Sequence, residues 1–354
     1  MSPRTVMRMV NERYPGSMML ASDPTLEIER IPCGILSIDM LLGGGFPRGR
    51  HVEIYGGYSV GKTYLSYRLI AEAQAAGYRC AFIDAERTFD PEFAAGAGVD
   101  LDSLAMTKRA GQNGNRLINI MEVYLRSEIY DVIVLDSIAA LLPKQEEDSD
   151  MEEGNYGTAQ AKLMSQALRR LTAANKRTVV VYINQTREAV GTMFGKRTIT
   201  SGGRAMAFYA GTRLELVRTE VIKRHGKTID IKSGKSKAAD IVKGHRVLVR
   251  VEKDKTGGTN TGSETTFVFD YDSANADPTE DLIYLGRVYS LVSVSGTRWW
   301  VEGYEDEAQP SRSKFKRWLE RNTAVAEELE ELIRYAATVV DDIDPEPEEA
   351  EQTQ

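Results

Sequence analysis

The run Gly56-Gly57-Tyr58-Ser59-Val60-Gly61-Lys62-Thr63 constrains the chain more than any other feature. It has the form G-x-x-x-x-G-K-T. It lies between a predicted strand at 51–55 and a stretch of helical periodicity at 64–75. Strand, glycine turn and helix in that order make a phosphate cradle. Gly56 and Gly61 let the backbone wrap so that several N–H groups point inward, and the helix that follows adds its positive end. Lys62 neutralises the β and γ phosphates, and the Thr63 hydroxyl is a ligand for Mg²⁺. ATP and Mg²⁺ are therefore the expected cofactors. Gly56, Gly57, Tyr58, Ser59, Val60, Gly61, Lys62, Thr63 and Tyr64 form the expected binding segment.

The surrounding pattern alternates strands and helices. Apolar strands are predicted at 80–83, 132–135 and 178–183, and helices at 116–126 and 159–174. The strands lack polar alternation, as in a parallel sheet covered on both faces. The fold class is thus α/β with a mainly parallel central sheet. Later strands are predicted at 213–217 and 247–251. Between them lies a Lys-rich polar stretch with turns at Gly226 and Gly234. The expected division is a helix–strand element at 1–30, an ATPase core at 31–271, a small domain at 272–340 and an acidic, disordered tail at 341–354. Residues 17–20 read as a strand, 272–277 as a linker, and 282–291, 314–320 and 324–336 as helices of the small domain. Trp299, Trp300 and Trp318 are expected in its core.

Composition excludes some classes. The formal charge of −7 argues against a generally basic nucleic-acid binder, but the charge is uneven. Asp341, Asp342, Asp344, Glu346, Glu348, Glu349 and Glu351 crowd the end, and the rest is close to neutral. No apolar run reaches the ~20 residues that span a bilayer, and the first residues lack a signal-peptide core. A cytoplasmic protein without membrane contact is expected. Cys33 and Cys80 match no metal spacing and read as reduced and packed.

Three further residues complete a hydrolytic site on chemical grounds. Asp136 ends an apolar strand, where its carboxylate can hold Mg²⁺ beside the phosphates. Glu86 follows the strand at 80–83, at the sheet edge where ligands bind, and is the general-base candidate, with Asp84 as alternative. Gln185 ends the strand at 178–183, where a neutral amide can sense the γ-phosphate and bias the loop beyond. On these residues alone a filament-forming motor, a hexameric ring motor and a DNA-independent ATP switch all remain open.

Longer segments narrow this. Gly34-Ile-Leu-Ser-Ile-Asp39, Leu42-Gly43-Gly-Gly45 and Gly49-Arg-His-Val-Glu-Ile-Tyr55 lead into the cradle. Phe82-Ile-Asp-Ala-Glu86 precedes Asp90-Pro91. Leu163-Met-Ser-Gln-Ala-Leu-Arg169, Ile183-Asn-Gln185, Met193-Phe-Gly195, Gly202-Gly203 and Lys253-Asp-Lys255 follow in order. This series resembles the bacterial RecA family over nearly the whole chain.

The resemblance implies a RecA-like ATPase core, an N-terminal polymerisation element and a small α+β C-terminal domain. It implies a DNA-dependent ATPase that forms helical filaments on single-stranded DNA and exchanges strands with duplex DNA. Lys62, Glu86 and Gln185 would serve catalysis, with Lys253 and Lys255 supplied by a neighbouring subunit as an arginine finger is. Asp90 and Phe93, and less directly Tyr271, fall at adenine-contacting positions. Two DNA loops, at about 147–157 and 186–200, would use Tyr156, Gly157, Arg187, Val190, Met193, Phe194, Lys196, Arg197, Gly202 and Gly203, joined by Arg169. Arg298, Arg312, Lys314, Lys316 and Arg317 would let the C-terminal domain capture duplex. The chain also departs from the family. Tyr58 stands where an acid is usual, the first loop is strongly acidic, and the Lys-rich stretch at 219–245 is longer than the family's.

Overall fold

The structure, a computed structural model, describes residues 1–108, 113–147, 156–188, 198–229, 236–259 and 261–341. Helix α1 (Pro3–Arg13) is capped by Ser2 and buries none of its residues. A two-stranded ribbon of β1 (Arg30–Ile31) and β2 (Phe46–Pro47) flanks α2 (Leu36–Leu41). The core then runs through β3 (His51–Gly56), α3 (Lys62–Ala75), β4 (Cys80–Asp84), α4 (Pro91–Gly96), β5 (Ala105–Met106), α5 (Gly114–Ser127) and β6 (Val132–Asp136). It continues with α6 (Lys144–Glu147), α7 (Tyr156–Ala174), β7 (Val179–Glu188), β8 (Thr198–Thr200), α8 (Ala205–Tyr209), β9 (Thr212–Ile229), β10 (Ser236–Asp254), β11 (Glu264–Asp270) and β12 (Asn275–Ala276).

One ten-stranded sheet organises all of this, in the order β12-β11-β10-β9-β3-β7-β6-β4-β5, with β8 on β7. From β9 to β5 the neighbours on this path are parallel; β9 to β12 pair antiparallel. Successive residues of the central strands feed opposite cores. Val132, Val134, Val179 and Val181 pack with the α3 side chains Leu65 and Leu69. Ile133, Leu135, Val180 and Tyr182 pack with Leu117 and Met121 of α5 and Leu168 and Leu171 of α7. Each such side chain contributes about 1.5–3 kcal/mol by burial. That two-sided burial is why the strands carry no polar alternation.

A third core lies beyond the sheet. Helix α9 (Pro278–Val288), strands β13 (Val292–Ser295) and β14 (Arg298–Val301), and helices α10 (Arg312–Arg321) and α11 (Thr323–Asp341) bury Ile283, Val292, Phe315, Leu319 and Ile333 together. Leu36 of α2 joins this cluster, and the Asp281 carboxylate accepts the Ser37 N–H at 2.8 Å. Trp299 and Trp318 flank Phe315 and are partly buried rather than central.

Four local expectations are corrected. Residues 17–20 form no strand, because the Asn11 side-chain amide satisfies both the N–H and the C=O of Met18, at 2.9 and 2.8 Å. The segment at 272–277 is not a free linker: Asn275 and Ala276 pair with Asp270 and Phe269 at the sheet edge. The helix expected at 282–291 begins at Pro278, since Asp277 accepts the Glu280 N–H as its N-cap. The Lys-rich stretch is drawn into a long hairpin, with Gly226 inside β9 opposite Ala239 rather than at a turn. Cys33 and Cys80 are free and buried. Among the described residues no helix is long and apolar enough to cross a membrane.

Candidate nucleotide site

The cradle sits at the end of β3, where Gly56 lies in register between Gln185 of β7 and Leu216 of β9. A Cβ on Gly56 would stand 2.2 Å from the Leu216 carbonyl oxygen, so the strand can end there only as glycine. Gly61 turns the chain at φ 98° and opens α3 without a side-chain cap. The first N–H groups of α3 therefore have no side chain to satisfy them, which suits an anion. The Lys62 ammonium donates to the carbonyls of Gly56 and Gly57 at 3.2 and 2.6 Å. Burial pulls its pKa down, against the pull of Asp136 and Glu86. Tyr58 is exposed. The Tyr64 side chain is buried, bonded through its hydroxyl to Asn275 and to the Ala276 N–H, so only its backbone remains for phosphate.

The Thr63 hydroxyl donates to Asp136 at 2.7 Å. Burial pushes the Asp136 carboxyl up to about 7, reinforced by Glu86 and opposed by the Thr63 hydrogen bond and Lys62. A hydroxyl and a carboxylate side by side are hard oxygen donors, the chemistry Mg²⁺ takes. Among the described residues no cluster of three or more His, Cys, Asp or Glu could hold a metal. A two-ligand site that leaves the remaining positions to phosphate and water fits Mg²⁺, which keeps several waters.

Backbone hydrogen bonds bring the hydrolytic residues together. The N–H groups of Ala85 and Glu86 both donate to the Asp136 carbonyl, at 2.7 and 3.1 Å, and fasten the end of β4 to the end of β6. The Glu86 Oε1 accepts from the Ser137 hydroxyl and from Gln185 Nε2, the latter at 2.9 Å. Glu86 and Gln185 line a cleft of about 530 Å³ that also includes Arg87, Asn113 and Glu147. Asp84, the alternative base, accepts the N–H groups of Thr88 and Phe89 and so shapes the loop.

The remaining candidates are distributed as follows. Asp90 caps α4 through the N–H groups of Glu92 and Phe93. The Phe93 ring packs with Tyr64, Tyr67 and Phe269 at 6.2, 5.8 and 6.5 Å. Tyr271 lies one ring further, 5.9 Å from Phe269, with its hydroxyl on His245. Lys253 and Lys255 are not near the chain's own cradle. Lys253 faces Arg213, three residues, or roughly 10 Å, back along the strands from Leu216. Its ammonium donates to the carbonyls of Ala207, Phe208 and Ala210 near the end of α8. Lys255 is exposed beyond it. Gly202 and Gly203 turn at φ 82° and 72° against Met164 and Ala161 of α7, and Arg169 is exposed on that helix. Tyr156 and Gly157 begin α7 and Arg187 lies in β7. Val190, Met193, Phe194, Lys196 and Arg197 lie outside the described residues.

Two groups escape a reading by motif. Ser137 is one; nothing in a lone serine after a strand announces a bond to a glutamate 51 residues away. The other is Glu53, fully buried in β3, which pairs with Arg213 at 2.6 Å and accepts from Asn184 at 2.8 Å. It ties β7, β3 and β9 together beneath the cradle. An acid between Val52 and Ile54, inside a strand that enters the cradle, is the signal that could have revealed it.

Comparison with known proteins agrees with this geometry. The family described as RecA N-terminal domain matches residues 5–253. The protein named Protein RecA of Chloroflexus aurantiacus is 40% identical over 328 residues, covering 91% of this chain and 87% of its own. That of Roseiflexus castenholzii is 39% identical over 334 residues, covering 93% and 88%. That of Herpetosiphon aurantiacus is 38% identical over 325 residues, covering 91% and 85%. A phosphate cradle, a strand-end carboxylate beside it and likeness along nine-tenths of the chain converge: the chain belongs to the RecA family, the DNA-dependent ATPases of homologous recombination and repair.

Proposed function

We propose that the chain polymerises on single-stranded DNA in the cytoplasm, with ATP and Mg²⁺ held between successive subunits, and pairs the bound strand with homologous duplex. Mg²⁺, held by Thr63 and Asp136, would neutralise charge on the transferring phosphoryl group. Lys62 contributes a fixed positive charge at the same place. Glu86 orients and deprotonates the attacking water. Lys253 and Lys255 of the next subunit approach from outside.

The observation that carries this reading is the hydrogen bond from Gln185 to Glu86. Gln185 is on the strand that runs into the loop assigned to DNA, and Glu86 is the hydrolytic carboxylate. A single side-chain contact thus joins the DNA-side loop to the chemistry. While Gln185 holds Glu86, the carboxylate has one fewer oxygen lone pair for water. Turning Gln185 toward a γ-phosphate frees it. The test is ATP turnover with and without single-stranded DNA, with microscopy of the same samples in a non-hydrolysable ATP analogue. The expected result is strong stimulation and helical filaments whose length follows the DNA. In Gln185→Ala, nucleotide binding persists while stimulation falls at least tenfold. Closed rings or DNA-independent turnover would overturn the reading.

A further inference from the structure

The hairpin of β9 and β10 extends far past the sheet that it belongs to. β11 stops pairing with β10 at Gly244, so from Lys223 outward the ribbon has two strands. Its paired backbone continues for roughly 20 Å, to Ile229 opposite Ser236. A bare two-stranded ribbon is at best marginally stable in water, so this extension adds little to the core. Its composition is also unlike the rest of the chain. Residues 219–245 carry seven Lys and Arg against three acids, in a chain of net charge −7.

The direction of the ribbon matters. β7, β3 and β9 are parallel, and Gln185, Gly56 and Leu216 are in register. The DNA-side loop and the ribbon therefore leave the same sheet edge, on either side of the cradle. At its root the ribbon faces α10 across a cleft of about 710 Å³. Three of the cleft's four carboxylates are closely engaged, Asp270 by Lys243, Asp277 by Lys316 and Glu280 by Arg312, and the fourth, the exposed Glu320, lies 3.7 Å from Lys316. Lys223 on the ribbon and Arg317 on α10 are exposed on its opposite walls. Arg224 lies 3.5 Å from the half-exposed Asp272. Lys227 and Lys237 stand further out in the paired stretch, in register with Ala238 and Thr228.

We propose that the ribbon and α10 together form a phosphate-tracking surface for duplex DNA, in which Lys223, Arg224, Lys227 and Lys237 extend the contact of the C-terminal helices beyond the body of the subunit. The inference rests on the strand-exchange reading. Lysines also protect exposed strand edges from aggregation, and the experiment separates the two roles. Filaments are assembled on single-stranded DNA with the non-hydrolysable analogue. Capture of a labelled duplex of unrelated sequence is then measured across a salt series, for the parent chain and for K223Q/R224Q/K227Q/K237Q. Every phosphate that the variant no longer neutralises should lower the slope of log affinity against log salt by about 0.9. The expected result is a slope lower by roughly 2–4 and at least tenfold weaker capture, with DNA-stimulated turnover unchanged. The charge-preserving K223R/K227R/K237R should keep the parental slope. Equal slopes and affinities in the parent and the Gln variant would overturn the proposal. Loss of stimulated turnover in the Gln variant alone would also overturn it, because that places the ribbon in the primary strand's site. A parent chain without stimulation would instead remove the reading on which the proposal rests.

Discussion

At the residue scale, buried polar groups under the cradle set how the chain responds to acid. His51 opens β3 and is only 3% exposed. One ring nitrogen is bonded to Thr172 and the other to Tyr182, both at 3.1 Å. Burial pulls the imidazole pKa down to about 4, with Arg50 adding to the effect. In the unfolded chain a histidine titrates near 6.5. Between those values the unfolded state holds a proton that the folded state refuses, so stability falls as pH drops through that window. By pH 5 the loss from this one group is about 2 kcal/mol. Denaturant unfolding at pH 7.5 and pH 5 should show the parent losing about 2 kcal/mol more than His51→Gln. Parallel losses in both chains would mean that His51 is protonated in the folded protein. The sequence marks His51 only as the first residue of a strand; its titration depends on α7 and β7 packing over it, which no local pattern reveals.

At the element scale, α9 and α10 are held together by charge as much as by their shared core. Glu280 takes both terminal nitrogens of Arg312, at 3.1 and 2.5 Å, and lies 3.7 Å from Lys316. Removing one partner of a buried pair costs about 3–5 kcal/mol, but Arg312 is 42% exposed and solvent screens part of that. Glu280→Ala should therefore cost about 2 kcal/mol. The loss should appear as earlier unfolding and faster hydrogen exchange in α9 and α10, with β6 and β7 still protected. A change within about 0.5 kcal/mol would mark the pair as a surface contact. This region also shows what a linear reading can and cannot capture. The central strands are legible because burial on both faces demands unbroken apolar runs, and the cradle is legible because its glycines are dictated by backbone approach. The start of α9 is misplaced because Asp277-Pro278, a capping pair, precedes the apolar residues that draw the eye. The hairpin is misread because glycine signals a turn by itself, yet Gly226 lies within a backbone ladder that runs on to Ile229 opposite Ser236. The meeting of Glu86, Ser137 and Gln185 is the end-on view of three strands, and it exists only once their register is set.

At the scale of the whole molecule, the position of Lys253 and Lys255 has a consequence for assembly. The isolated chain holds them at the sheet edge opposite its cradle, with Lys253 on the carbonyls that end α8. If they serve hydrolysis, each active site is composite: Glu86 and the cradle come from one subunit and the lysine pair from the next. Such a contact is head-to-tail and propagates as a filament. Two variants then complement each other. Glu86→Gln retains its cradle and its lysines but lacks the base; K253A/K255A retains the base but lacks the cations. Each alone should hydrolyse ATP at least ~100-fold more slowly than the parent in the presence of single-stranded DNA. Mixed in equal amounts before DNA is added, they should recover turnover, because roughly a quarter of random junctions pair an intact Glu86 with an intact lysine pair. Recovery should follow the product of the two mole fractions, peak at the equal mixture and disappear when each variant is assembled separately before mixing. If the mixture stays as slow as its components while still forming filaments, Lys253 and Lys255 do not act across the junction. The role of Lys253 would then be the one visible within the chain, anchoring α8 to the end of β10.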